Sequence, residues 1–252
     1  MTLALDDIIE QEFKFLSVNG QALKLLVSSS LFMPNQTTAA IAEAVKTYPN
    51  EIGIELGSGT GPLTVILASQ PIQHLYSIEI IPEQYELACK NIEKYNLTKK
   101  VTLLQGNIFE PLNSDYPDLK ADFIVSDISG MAEEPARALG WYPQAVPAGG
   151  IDGTEKIIPL IKQSSNYLKE NGRLYFPVVI NFSDSEKIIK SARECFQNLE
   201  LVNAIKIPLT KDLLTIVDSL RSGLYAEVER KGSRGYWHLE VYEATMPKIL
   251  RL

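Results

Sequence analysis

Glu55, Gly57, Gly59 and Gly61 alternate with other residues in the run Ile52-Gly53-Ile54-Glu55-Leu56-Gly57-Ser58-Gly59-Thr60-Gly61-Pro62. These types at this spacing suit the binding of a nucleotide-like ligand. Glycine lets the chain turn sharply and brings its backbone close to a ligand with no Cβ in between. The apolar residues before Gly57 read as a buried strand. Pro62 suits the first position of a helix, where its missing N–H is not needed. Strand, glycine turn and helix N-terminus together make a cradle for a charged ligand group. The dinucleotide spacing G-x-G-x-x-G is not met, because position 62 is proline.

Three further strand ends carry polar groups. Ser77-Ile78-Glu79-Ile80 supplies a carboxylate that can accept two hydrogen bonds from a vicinal diol, with Ile80 beside it. Gln105-Gly106-Asn107-Ile108 supplies an amide for the edge of a heterocycle and Ile108 for its face. Ser126-Asp127-Ile128-Ser129-Gly130 supplies a second acid. Asp127 can take a proton from a nucleophile, anchor a substrate amine, or hold an amino group of the bound ligand. Each acid also has an ordinary use: Glu79 at a helix start, Asp127 as a cap. Ser129, Glu133, Glu134, Trp141 and Tyr142 lie in or beside an irregular stretch expected to overhang the site; Ser129, Glu133 and Trp141 are the expected substrate contacts. His74 starts a strand and His238 lies inside one, so both read as structural.

The elements that must position these groups follow from periodicity. Strands are expected over 51–56, 74–80, 101–106, 121–126, 173–181 and 200–207. Helices are expected over 37–47, 61–69, from Pro82, and over 153–169, 184–197 and 211–220. Two last strands fall over 224–230 and 235–243. The helix from Pro82 carries Tyr85, Ala88, Cys89, Ile92 and Tyr95 as an apolar stripe. Asp152 and Glu155 read as a variant capping box for the helix over 153–169. The alternation implies an α/β fold with a mostly parallel sheet covered on both faces. Before it, Asn19-Gly20 between apolar runs signals a tight hairpin, and residues 1–12 fit a short amphipathic helix. The expected division is an N-terminal helix and hairpin over 1–35 and a ligand-binding domain over 36–252.

The net charge of −7 argues against a general nucleic-acid binder, which needs a broad basic surface. The one basic run, Arg230 to Trp237, reads as a solvated hairpin turn. Cys89 and Cys195 fall in expected helices, have no metal-ligand spacing, and read as small buried hydrophobes of a reducing, cytoplasmic setting. No apolar run approaches the ~20 residues of a membrane span.

The E-x-G-x-G-x-G turn resembles motif I of the class I S-adenosylmethionine (SAM)-dependent methyltransferases. Phe109-Glu110-Pro111-Leu112 after Gly106-Asn107, then Ile124-Val125-Ser126 and Ala148-Gly149-Gly150-Ile151-Asp152-Gly153, resemble the release-factor glutamine methyltransferases from about Leu31 to Ile180. The resemblance implies a Rossmann-like methyltransferase fold with SAM as cofactor. It implies that Glu55, Gly57, Ser58, Gly59 and Gly61 cradle the methionine part, Glu79 and Ile80 the ribose, and Asn107 and Ile108 the adenine. That family carries N-P-P-Y after its fourth strand, where the asparagine and a proline carbonyl accept from the target amide. Here the stretch is Asp127-Ile128-Ser129-Gly130. The expectation drawn from this departure is methyl transfer to nitrogen or oxygen of a small molecule. The alternatives are use of SAM's aminocarboxypropyl arm, protein glutamine N-methylation, and a non-catalytic partner subunit.

Overall fold

A computed structural model describes residues 7–128, 130–220 and 227–248. The chain opens with the hairpin β1 (Ile9–Val18) and β2 (Gln21–Val27). Asn19 and Gly20 take φ of 52° and 77°, the pair of positive values that a tight two-residue hairpin turn requires. The helix expected over 1–12 is corrected from Ile9 onward, where the residues are strand; residues 1–6 lie outside those described. The physical reason is cross-strand pairing: Ile9 faces Val27 and Phe13 faces Leu23, so the segment's apolar residues are used at a period of two.

The main sheet has the order β5-β4-β3-β6-β7-β10-β8, with β9 paired to β10. Its strands are β3 (Ile52–Leu56), β4 (His74–Glu79), β5 (Val101–Gln105), β6 (Ala121–Ser126), β7 (Leu168–Val179), β8 (Phe196–Leu209), β9 (Glu229–Lys231) and β10 (Arg234–Pro247). β3 to β7 run parallel, while β10 is antiparallel to both β7 and β8. The chain builds β3, β4 and β5 outward in one direction and then returns to lay β6 on the other side of β3. That reversal puts a crevice at the carboxyl ends of β3 and β6, where ligands bind in such sheets.

Helices α1 (Gln36–Ala44), α2 (Pro62–Ala68) and α3 (Pro82–Lys94) pack on one face, joined in one core with Leu75 and Phe123. On the other face, α4 (Glu110–Asp115), α6 (Ile157–Ser164) and α7 (Ser185–Cys195) bury Leu112, Leu160 and Ile188 with Ile54 and Ile124. The short helices α5 (Glu133–Ala138) and α8 (Lys211–Ser219) complete the described residues. The helix expected from residue 153 begins only at Ile157. Asp152 spends its Oδ1 on the backbone N–H and hydroxyl of Thr154, at 3.2 and 2.6 Å, a local turn that competes with helix. The Arg230–Trp237 run forms the β9–β10 hairpin, with Lys231 paired to Glu229 and Trp237 buried. Cys195 is buried, but Cys89 is exposed, because its position on α3 faces away from the sheet.

The hairpin is clamped to the α/β unit in two ways. Phe13, Leu16, Leu23, Leu25 and Val27 pack on Val65 and Ile66 of α2. Asn91 of α3, fully buried, uses its carboxamide as a strand partner for β2. Its Oδ1 accepts from Leu26 N at 2.8 Å, and its Nδ2 donates to Leu26 O at 2.9 Å and to Thr60 O at 2.8 Å. One side chain thus ties the hairpin to the glycine turn. Asn91→Leu keeps the volume and leaves three buried backbone groups without these partners, so the chain should lose about 3 kcal/mol of stability. Urea unfolding measures this; a loss below about 1 kcal/mol would show that the backbone groups find other partners.

Candidate functional site

The crevice opens into a cleft that continues to solvent. Its floor is the turn Gly57 to Thr60, followed by Pro62. Gly57 and Ser58 donate their N–H groups to Ile78 O at 2.9 and 3.1 Å, fastening the turn to β4. Gly57 has φ of 77°, and a Cβ there would stand 2.7 Å from Ile128 Cγ1. Gly61, with φ of 89°, is the N-cap of α2 and faces Ala88 of α3, outside the cleft. Its part is therefore the turn and the close approach of two helices.

Glu79 ends β4 in the cleft wall, only 3% exposed. Its Oε2 accepts from Gly59 N at 2.7 Å and its Oε1 from Ile81 N at 2.8 Å. The carboxylate thus shapes the glycine turn itself, with a second lone pair on each oxygen left for a ligand. Glu55 lies beneath the floor, fully buried, and does not line the cleft. Thr64 and Ser77 donate hydroxyls to its Oε2 at 2.5 and 2.7 Å. Burial, reinforced by the charges of Asp127 and Glu79, pushes the Glu55 carboxyl up to about 7.

Asn107, Ile108 and Ile80 line the far end. Asn107 Nδ2 donates to Glu110 Oε1 at 3.2 Å. Ile108 has φ of 47°, a strained value for a β-branched residue of the kind held at functional sites. Asp127 follows β6 in the opposite wall, its Oδ2 accepting from Thr38 Oγ1 at 2.7 Å. Burial pushes its carboxyl up to about 7.

Of the three expected substrate contacts, Ser129 lies outside the described residues, and Glu133 and Trp141 do not line the cleft. Trp141 packs its ring against Phe182 and Trp237, at centroid distances of 5.9 and 5.3 Å, because those core partners converge on it in the fold. Glu133 is exposed and bonds Arg137 at 2.7 Å. Arg137 in turn donates to the carbonyls of Tyr142 and Pro143 at 3.0 and 2.6 Å, so Glu133 braces the loop that lines the cleft. Tyr142 of that loop meets Phe32 at a centroid distance of 5.1 Å, both in the cleft wall. Sequence reasoning missed Phe32, Thr38, Gln84 and Lys156. Lys156 is half-buried, its ammonium pushed down chiefly by burial. His74 bonds Thr102, His238 pairs with Glu229, and neither reaches the cleft.

The site fits the cofactor that the sequence implies. Ser58 Oγ and Thr60 Oγ1 in the cleft lining are buried without a hydrogen-bond partner among the described residues, a condition that native sites resolve with a ligand, ion or water. A cleft with acids on both walls and bare backbone at Gly59 accepts a cationic nucleoside.

The match to known proteins agrees. A family model described as a methyltransferase domain covers residues 49–218, and the chain belongs to that family. The methyltransferase class, and SAM as the cofactor, are borne out with it. The chain is 27% identical over 185 residues to the release factor glutamine methyltransferase of Aquifex aeolicus, covering 68% of this chain and 62% of the relative. It is 30% identical over 160 residues to that of Geobacter sulfurreducens, covering 60% and 54%. The chain therefore spans under two thirds of these relatives. A solved tRNA m1G37 methyltransferase of M. jannaschii superposes with a TM-score of 0.55 at 15% identity, over 94% of this chain and 57% of that one; at that identity it shows the Rossmann-like fold. The expected small-molecule acceptor is corrected by the two relatives, both named for a glutamine of a protein. That expectation rested on the missing prolines and tyrosine, whereas an acceptor oxygen at Asp127 persists in the cleft.

Gly57→Ala places a Cβ against Ile128 and at a left-handed φ. Such a backbone costs a non-glycine residue roughly 1–2 kcal/mol, so affinity for S-adenosylhomocysteine should fall about tenfold or more. Calorimetry on a variant with native far-UV circular dichroism checks this; unchanged affinity would make the glycine a purely structural feature.

Proposed function

We propose that this chain is a SAM-dependent N-methyltransferase whose acceptor is a protein side-chain amide, of the glutamine class. The observation that carries the reading is the similarity to two enzymes named for release factor glutamine. The site supports it. Asp127 presents an acceptor oxygen in the wall of the same cleft as the glycine turn, and the Phe32–Tyr142 ring pair lines that cleft as well. We read 1–35, which contains the hairpin of β1 and β2, as a support for the turn and 36–252 as the cofactor domain. Two free thiols, Cys89 and Cys195, support a reducing, cytoplasmic setting.

When bound, SAM supplies an electrophilic methyl carbon, so the hard chemistry belongs to the cofactor. The chain's own task is placement, exclusion of water and handling of one proton. An amide nitrogen is a weak nucleophile because its lone pair is delocalised. A carboxylate that accepts from its N–H orients the nitrogen and raises its electron density. Asp127 then takes the proton that the nitrogen must shed as it gains a methyl group. A carboxyl near 7 is well matched to that exchange at neutral pH. Ser58, Thr60, Glu79 and the turn hold the cofactor, with Asn107 and Ile108 at its base.

The base form of Asp127 is the ionised one, so turnover should rise with pH through about 7. Asp127→Asn removes the charge at constant shape and should lower turnover about a hundredfold, with little change in SAM affinity. Mass spectrometry of a release factor incubated with SAM and the enzyme reads both the methylated residue and its rate. Methylation on a residue other than glutamine would overturn the acceptor class. Full turnover by Asp127→Asn would remove Asp127 from the chemistry.

A further inference from the structure

We propose that Thr38 is a positioning residue for the acceptor side of the reaction: its hydroxyl holds Asp127 by Oδ2 and leaves Oδ1 to face the cleft. The proposal rests on the reading of Asp127 given above. Three observations carry it.

First, Thr38 is 1% exposed, yet it borders the same cleft as Asp127. Its hydroxyl is 2.7 Å from Asp127 Oδ2, a contact made between residues far apart in the chain. Second, the direction of that bond is settled by the other partner of the hydroxyl. Thr38 sits at the third position of α1, and its Oγ1 also meets Asn35 N at 3.5 Å, in the capping box of that helix. Asn35 N can only donate, so the single hydroxyl proton is free for Asp127. Third, among the described residues Asp127 Oδ1 takes no hydrogen bond, while Oδ2 is committed. The carboxylate therefore presents one defined oxygen to the cleft.

The consequence reaches beyond orientation. A donor to the ionised carboxylate favours that form, so the Thr38 hydroxyl opposes the effect of burial on Asp127. The other charged groups around it are Glu55 beneath the floor, Glu79 across the turn and Lys156 in the cleft wall. None of them makes a direct bond to Asp127 among the described residues. Thr38 is the group that sets both which oxygen is offered and how readily it is ionised. The connector Leu31 to Asn35, which carries Phe32 and Pro34 in the cleft wall, is joined to Asp127 through the same cap.

The test is the titration of the Asp127 side-chain carbon by NMR in the full chain, without cofactor or substrate, for wild type, Thr38→Val, Thr38→Ser and Asn35→Ala. Thr38→Val keeps shape and removes the donor; the Asp127 titration should move upward by about one pH unit. Thr38→Ser should restore the wild-type midpoint. Asn35→Ala breaks the other half of the helix cap and should lower stability without moving it, which separates positioning from a merely structural role. Thr38→Ala serves if the valine variant does not fold. In turnover, the acid limb of kcat should shift by the same amount in Thr38→Val, while S-adenosylhomocysteine affinity stays unchanged. An unmoved Asp127 midpoint in folded Thr38→Val, or a serine variant that behaves like valine, would overturn the proposal. The NMR readout stands even if the acceptor proves not to be an amide.

Discussion

Three carboxylates end three neighbouring strands and are packed around one glycine turn. β4, β3 and β6 lie side by side and deliver Glu79, Glu55 and Asp127. Glu55 and Glu79 are buried, and Asp127 is enclosed in the cleft wall. No cation touches any of them among the described residues. Each is held instead by short neutral donors: hydroxyls of Thr64 and Ser77, N–H groups of Gly59 and Ile81, and the hydroxyl of Thr38. Burial keeps Glu55 and Asp127 protonated up to about 7, from ordinary values of 4.5 and 3.8, and at Glu55 the charges of Asp127 and Glu79 add to it. The stability these two groups contribute is fully present below those ordinary values and is lost as pH rises through about 7. A cationic ligand over the turn would offset that loss by favouring ionised Glu55, which suits the turn to a sulfonium nucleoside.

The turn is held by the chain's own groups. Ile78 fixes Gly57 and Ser58 through their N–H groups, Glu79 fixes Gly59, and Asn91 fixes Thr60 while gripping β2. These bonds hold φ values of 77°, 57° and 89° at Gly57, Gly59 and Gly61. Preorganisation of this kind lowers the ordering cost of binding. The hairpin matters to function by this route, since it is anchored to the turn through a single buried amide.

What was legible in the sequence is what local chemistry dictates. Asn19-Gly20 demanded a hairpin turn, and the glycines after Glu55 demanded a cradle at a strand end. The alternation of apolar runs was enough to place β3, β4, β6 and α3 within a residue or two. What was not legible comes from segments that meet only in three dimensions. Thr38 reads as a helix residue until β6 brings Asp127 to it. Lys156, Gln84 and Phe32 give no local sign that they line a cleft. Trp141 lies in a stretch that the sequence places over the site, but Phe182 and Trp237 draw it into the core. Asp152 looked like a helix cap and is a loop anchor, joined to Lys187 at 2.8 Å and to Asp184 N through its carbonyl. The acceptor class expected from the absent N-P-P-Y prolines is corrected by relatives named for a protein glutamine, not by any residue pattern within this chain.

The central claim is that the acid-walled turn is a cofactor site that prefers positive charge. The most direct measurement is calorimetric titration of the protein with SAM at about pH 6 and about pH 8, in buffers of different ionisation heat. The account predicts binding that is tighter at the higher pH and releases protons, because a cation lowers the carboxyl value of Glu55 toward the ordinary range. Absence of binding, or an affinity independent of pH with no proton release, would contradict it.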